Sequence, residues 1–149
     1  MAKLYIMVGV PGSGKTTYAL NELKNAVYIG SDAVRYELYG NEKQIVRGYR
    51  RVHRILEERI IQSLSRDDDV VVDCSNITRN ARKRLINLAP EGTEIIVIFI
   101  DKPLRITLKN NLSRMRHVPG PGIICMKILL QKPAKSEGID RIIHICAQK

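Results

Sequence analysis

Gly9-Val10-Pro11-Gly12-Ser13-Gly14-Lys15-Thr16 is the stretch that decides how this chain is read. It satisfies G-x-x-x-x-G-K-[ST], a spacing with a physical purpose. Glycines let the backbone wrap tightly, so that N–H groups turn toward phosphate oxygens, and the helix that follows adds the positive end of its dipole. Lys15 is expected to reach the β- and γ-phosphates of a nucleoside triphosphate, and Thr16 to ligate Mg²⁺. Gly9, Pro11, Gly12, Ser13, Gly14 and Thr17 complete the cradle. The context agrees with the mechanism. Residues 4–8 form an apolar run that reads as a buried strand, and a helix is expected over residues 15–24.

Working outward, residues 26–29 read as a second strand stopped by Gly30. Ser31 and Asp32 are good N-caps for a short helix to about Tyr39. Ile45, Tyr49, Val52, Leu56, Ile60 and Leu64 recur every three or four residues and predict a long amphipathic helix over residues 42–65. Val70-Val71-Val72 is a third strand, buried on both faces and ending in Asp73. Thr78 is placed to cap a helix through Leu88. Residues 94–100 form a fourth strand with Asp101 at its end, and Pro103 starts a helix to about Asn111. Residues 114–122 are basic and rich in Pro and Gly, and they predict a mobile loop. A short helix over residues 123–131 and a last strand over residues 142–146 complete the chain. Strands alternating with helices imply an α/β fold, a mostly parallel five-stranded sheet covered on both faces. Ligands in such sheets bind at the carboxyl ends of the strands, where Gly9, Ser31, Asp32, Asp73 and Asp101 all fall.

The chain has 149 residues, and a single domain is expected, with a lid at about residues 112–122. One Phe and no Trp leave Ile, Val and Leu to build the core. No stretch approaches the roughly 20 apolar residues of a membrane span. Met1-Ala2-Lys3-Leu4 runs straight into an expected strand, so no signal peptide is expected. Cys74, Cys125 and Cys146 are odd in number and lack metal-type spacing, so a reduced, cytoplasmic protein is expected. Twenty-five basic against fifteen acidic residues give a formal charge of +10, which attracts polyanions. An unspecialised basic surface accounts for the charge equally well.

Asp32 and Arg35 are three apart, so on a helix they share a face. The carboxylate suits a general base for a hydroxyl acceptor, and the guanidinium suits a phosphate of that acceptor. An N-cap with a surface ion pair explains the same two residues. Asp73, at the end of its apolar strand, has the Walker-B-like position near Mg²⁺. Ser75 and Asn76 follow it and either line the acceptor cleft or make ordinary turn bonds. Arg114, in the Pro/Gly-rich loop, can supply charge to a transferred phosphoryl group. Cys74 reads as a small buried residue rather than a nucleophile.

The P-loop, then Ser31-Asp32-x-x-Arg35, then Asp73-Cys74-Ser75-Asn76, then Asn111-x-x-Arg114 with Val118-Pro119 after it, resembles the P-loop polynucleotide 5′-kinases. The likeness is strongest to the kinase domain of the phage and bacterial end-healing enzymes and spans roughly residues 3–131. It implies transfer of the γ-phosphate of ATP, with Mg²⁺, to the 5′-hydroxyl of a nucleic acid. Asp32 matches the family's general base, Arg35 its acceptor-side arginine and Arg114 its lid arginine. Lys15 and Thr16 match the P-loop pair, and Asp73 the family's D-x-[ST]-N element, with Ser75 in place of the more usual Thr. Those enzymes usually carry an attached phosphatase domain, which is not expected here, and the short lid containing Pro119-Gly120-Pro121-Gly122 is a further departure. A small-molecule P-loop kinase, acting on a gluconate-, adenylylsulfate- or antibiotic-type acceptor, explains the motifs as well. A non-catalytic nucleotide switch needs no acceptor-side base and fits less.

Overall fold

The computed structural model describes residues 1–40, 48–114 and 118–146. Its strands are β1 (Lys3–Val8), β2 (Val27–Gly30), β3 (Val70–Asp73), β4 (Glu94–Asp101) and β5 (Arg141–Cys146). Its helices are α1 (Lys15–Glu22), α2 (Ser31–Tyr39), α3 (Tyr49–Ser65), α4 (Arg79–Leu88), α5 (Leu104–Leu112) and α6 (Gly120–Leu129), with a 3₁₀ turn at Lys135–Glu137. The strands form one sheet in the order β2-β3-β1-β4-β5, and every pairing is parallel.

The sequence builds this sheet because its central strands are apolar on both faces. Leu4, Ile6, Val8, Val70, Val72 and Val97 form one core with Leu56, Ile60 and Leu64 of α3. Met7, Val71, Ile96, Ile98 and Ile100 form the other, with Ala19 of α1. A parallel sheet needs such cover on both sides. Its strand order puts the topological switch at β1, whose neighbours lead in opposite directions. The ends of β1, β2 and β3 are drawn together there. Gly30 stands opposite Asp73 in the register, and the Gly9 N–H donates to the Ser75 carbonyl at 3.1 Å.

One buried ion pair braces this end of the sheet. Arg82 is fully buried. Its Nε and Nη2 donate to the Glu137 carboxylate at 2.8 and 3.1 Å, and its Nη1 donates to the Asn76 carbonyl at 2.9 Å. The guanidinium thus ties α4 both to the 3₁₀ turn and to the loop after β3.

Several expected boundaries moved, each for a local reason. The helix after the P-loop stops at Glu22, where Leu23 leaves helical geometry. Gly30, rather than Ser31 or Asp32, is the N-cap of α2, and its extended backbone makes the turn. Asp32 therefore lies in the first helical turn, where a carboxylate is favoured by the dipole. Pro103 is the N-cap of α5 and not its first helical residue. Gly120, Pro121 and Gly122 are the first turn of α6 rather than loop, because the proline N–H is not needed at that position. α6 then ends at Leu129. Thr78 caps α4 as expected, accepting from the Ala81 N–H at 3.2 Å. The first part of the long helix, with Ile45, lies outside the described residues, as do Arg116 and His117.

Removing one partner of a buried pair strands the other charge. Arg82→Ala is expected to cost about 3–5 kcal/mol in urea unfolding. Burial works against the Glu137 carboxylate, but the bonds from Arg82 and the Ala134 N–H outweigh it and hold its pKa below the ordinary 4.5. A lowered folded pKa stabilises above the unfolded value and is lost as pH falls through the folded one. Below about pH 4.5, wild-type stability should therefore decline more steeply with acid than that of Glu137→Gln.

Candidate active site

The P-loop is shaped by two left-handed glycines, Gly12 at φ +86° and Gly14 at φ +94°. A side chain on Gly12 would collide with the Thr107 carbonyl of α5, which backs the loop. Asn110 of the same helix donates to the Gly12 carbonyl at 3.0 Å. Inside the loop, the buried Ser13 hydroxyl has no hydrogen-bond partner among the described residues. Lys15 donates to the Val10 carbonyl at 3.1 Å. Burial above all lowers the Lys15 pKa; Arg114 adds to the effect, while Asp73 and Asp32 oppose it. Pro11 to Thr17 line a cavity of about 660 Å³, together with Ser31, Asp32, Asp73, Ser75, Lys102 and Arg114. An orphaned hydroxyl and a desolvated ammonium beside a tight glycine loop fit a chain of phosphates.

Asp73 is the node that joins the three strand ends. Its Oδ2 accepts from Thr16 Oγ1 and from Tyr28 Oη, each at 2.5 Å. A hydroxyl and a carboxylate held together are the hard oxygen donors that suit Mg²⁺. Nothing in the sequence marks Tyr28 for this role, because alternation in so short a strand does not distinguish a structural tyrosine from a site one. Burial first, then the charge of Asp73, push its phenol pKa up, so it stays a donor.

Across the cavity, two guanidinium groups grip Asp32 on separate oxygens. Arg35 Nη1 lies 3.3 Å from Oδ1, and Arg114 Nη2 lies 2.7 Å from Oδ2. Among the described residues, Arg35 Nε and Arg114 Nη1 are buried without a hydrogen-bond partner. Buried donors of this kind are costly unless an anion meets them. The arginine 82 positions away in sequence is thus brought onto the helix that carries Asp32.

Not every candidate faces the main cavity. Ser75 lines it, whereas Arg35 reaches it through Asp32, and Gly9 acts through its backbone. Asn76 is buried at φ +48° and donates to the carbonyls of Met7 at 2.9 Å and Cys74 at 3.3 Å. It lines a second cavity of about 250 Å³ between α3 and α4, with Tyr49, His53, Cys74 and Arg84. Cys74 borders both cavities. Burial pushes its thiol up to about 11, which makes it a poor nucleophile. Asn110 and Lys102 contribute to the main site, and only their tertiary position reveals it. Asn111 clasps Val118, accepting from its N–H at 3.1 Å and donating to its carbonyl at 2.6 Å, which fixes where the chain leaves α5.

This sheet order, with a P-loop after its central strand and an Asp at the end of the neighbouring one, defines a P-loop kinase fold. The chain belongs to the AAA domain family AAA_33, whose model matches residues 4–121. It is 28% identical over 125 residues to the L-seryl-tRNA(Sec) kinase of Methanococcus maripaludis, covering 78% of this chain and 48% of that one. It is 24% identical to the bifunctional polynucleotide phosphatase/kinase of Schizosaccharomyces pombe, covering 96% of this chain and 33% of that one. The chain therefore spans between a third and a half of the length of these relatives. Among solved structures, a chain of the Pnkp1/Rnl/Hen1 RNA repair complex superposes with a TM-score of 0.76 at 25% identity, covering 87% of this chain and 44% of that one. A sugar kinase from Janibacter sp. HTCC2649 superposes at 0.71 and 18% identity, covering 98% and 86%, a likeness of fold alone. The relatives support a phosphotransferase, and the family implies a nucleotide and usually Mg²⁺.

Two substitutions test the nucleotide half. Gly12→Ala should abolish ATP binding in a calorimetric titration and lower the melting temperature, since the new methyl group meets backbone that cannot retreat. Tyr28→Phe should keep the fold and weaken Mg·ATP binding about 3- to 10-fold, the worth of one hydrogen bond.

Proposed function

We propose that this chain transfers the γ-phosphate of ATP to the 5′-hydroxyl of a nucleic acid, with Asp32 as general base. The observation that carries this reading is the Asp32 carboxylate held between Arg35 and Arg114 at the mouth of the P-loop cavity. A nucleotide switch needs no such acceptor-side carboxylate. The 5′-oxygen forms a bond to the γ-phosphorus as the bond from that phosphorus to the bridging oxygen breaks. The hydroxyl proton passes to Asp32, and ADP leaves. Lys15 and Arg114 hold the charge that develops on the transferred group, and Arg114 Nη1 is the donor left over for it. Thr16 and Asp73 are the residues that would hold Mg²⁺, which when bound neutralises charge on the phosphate oxygens. Pro11, Gly12, Ser13, Gly14 and Thr17 wrap the triphosphate.

Three features favour a nucleic acid acceptor. The formal charge is +10. The second cavity adjoins the first at Cys74 and presents Tyr49 and His53, whose rings lie 4.2 Å apart, beside Arg84. The His53 pKa is lowered, by burial first and then by Arg35 and Arg84, so its ring is neutral and suited to stacking on a base. The polynucleotide phosphatase/kinase relative covers nearly the whole chain. A small-molecule acceptor is the second reading, favoured by the modest size of that cavity, about 250 Å³.

γ-Labelled ATP supplied with a 5′-hydroxyl oligonucleotide, and in parallel with small hydroxyl metabolites, separates the two. Label is expected on the oligonucleotide, and label on a metabolite alone would sink the reading. Asp32→Asn should lower kcat about 10²- to 10⁴-fold with ATP affinity kept. Arg114→Ala should lower kcat about 10²- to 10³-fold. Full activity in Asp32→Asn would remove the base assignment whatever the acceptor.

A further inference from the structure

On the opposite face of the sheet from the nucleotide cavity, three side chains of different chemistry converge at the carboxyl ends of β4 and β5. Asp101 stands opposite Cys146 in the strand register, and Phe99 opposite His144. Side chains alternate along a strand, so His144 and Cys146 share a face with Asp101 and Phe99. Ile145, between them, points the other way and lines the nucleotide cavity. His144 Nε2 lies 3.3 Å from Asp101 Oδ2 and 3.4 Å from Cys146 Sγ. All three ligand atoms lie within 4.8 Å of one another.

The two separations from His144 are those of ligands around a tetrahedral ion, and Asp101 and Cys146 come within 4.8 Å of one another. Bonds of about 2.0–2.1 Å to N or O and about 2.3 Å to S, at tetrahedral angles, set N and O about 3.3 Å apart and N and S about 3.5 Å apart. The groups are also held in place. The His144 ring stacks on Phe99 with centroids 4.8 Å apart and planes 7° from parallel. Lys127 Nζ sits 4.0 Å from the other carboxylate oxygen, Asp101 Oδ1, and so orients Oδ2 toward His144. A thiolate, a carboxylate and a neutral imidazole balance a divalent charge. Among the described residues this is the group of His, Cys, Asp and Glu side chains that meets the spacing for a metal ion.

We propose that Asp101, His144 and Cys146 bind one borderline-soft divalent ion of the Zn²⁺ class, with the fourth position open to water. Its mixed N, O and S donors separate it from the all-oxygen pair at Thr16 and Asp73, which suits Mg²⁺. The ion clamps β5, an edge strand with several exposed residues, onto β4 at their last shared register pair, Asp101 and Cys146. The clamp does not depend on which acceptor the kinase site serves.

Co²⁺ titration of the full chain is the test, because cobalt bound to a thiolate absorbs in the near ultraviolet. One equivalent should produce that absorption in wild type and in Cys125→Ser and Asp73→Asn. Cys146→Ser and His144→Ala should abolish it, while both still bind ATP and so remain folded. Zn²⁺ at about a hundredfold over its Kd should raise the wild-type melting temperature by about 5–10 °C and leave both variants unmoved. A wild type without the thiolate–cobalt absorption overturns the proposal. So does absorption that survives Cys146→Ser or disappears in Cys125→Ser.

Discussion

The structure depends on how β1, β2 and β3 end together. Parallel pairing sets Gly30 beside Asp73 and brings the Gly9 N–H onto the Ser75 carbonyl. The Asp73 carboxylate then accepts from a residue of α1 and a residue of β2 through one oxygen. A carboxylate that is mostly withdrawn from water is tolerable only with such partners. The donor side of the site is therefore built from main-chain register first and side-chain chemistry second. A one-residue slip in β3 would turn Asp73 to the other face of the sheet and separate it from Thr16.

The same end of the sheet carries two kinds of electrostatic arrangement. Arg82 and Glu137 are paired and satisfied, with each Arg82 donor that the structure records accounted for by Glu137 or Asn76. They hold the fold. Arg35 and Arg114 are paired only in part, each keeping one buried nitrogen without a partner among the described residues. Buried donors left open in a native protein are met by water, an ion or a ligand, or serve a catalytic role. That contrast separates a satisfied pair from a partly open one, although all four residues sit within the same fold and three are arginines.

Much of the fold was legible because its signals are local. The apolar run of β1, the Val70-Val71-Val72 strand, the Thr78 cap and the spacing of Val52, Leu56, Ile60 and Leu64 each declare an element without reference to the rest of the chain. The misplaced boundaries occur where two rules compete. Ser31 and Asp32 are good caps by residue type, yet Gly30 holds the extended backbone that the turn requires. Pro119 to Gly122 have a loop-like composition, yet proline and glycine are also acceptable in the first turn of a helix, and α6 starts there. Local composition does not choose between these outcomes; the packing of the following residues does.

By itself the sequence determined the phosphate loop, the strand–loop–helix that carries it and the α/β class, because the motif's chemistry is set by neighbours along the chain. It also named Asp32, Arg35, Asp73 and Arg114 as candidates. Only the tertiary structure decided that Arg114 reaches Asp32, that Tyr28 joins Thr16 on Asp73, that Asn76 bonds to backbone carbonyls, and that Asp101, His144 and Cys146 meet. Each of these joins residues from separate elements, and a carboxylate or guanidinium carries no mark in the sequence of the partner it will meet. The sheet order and its register choose that partner, and they arise from burial on both faces of the sheet rather than from any residue of the site.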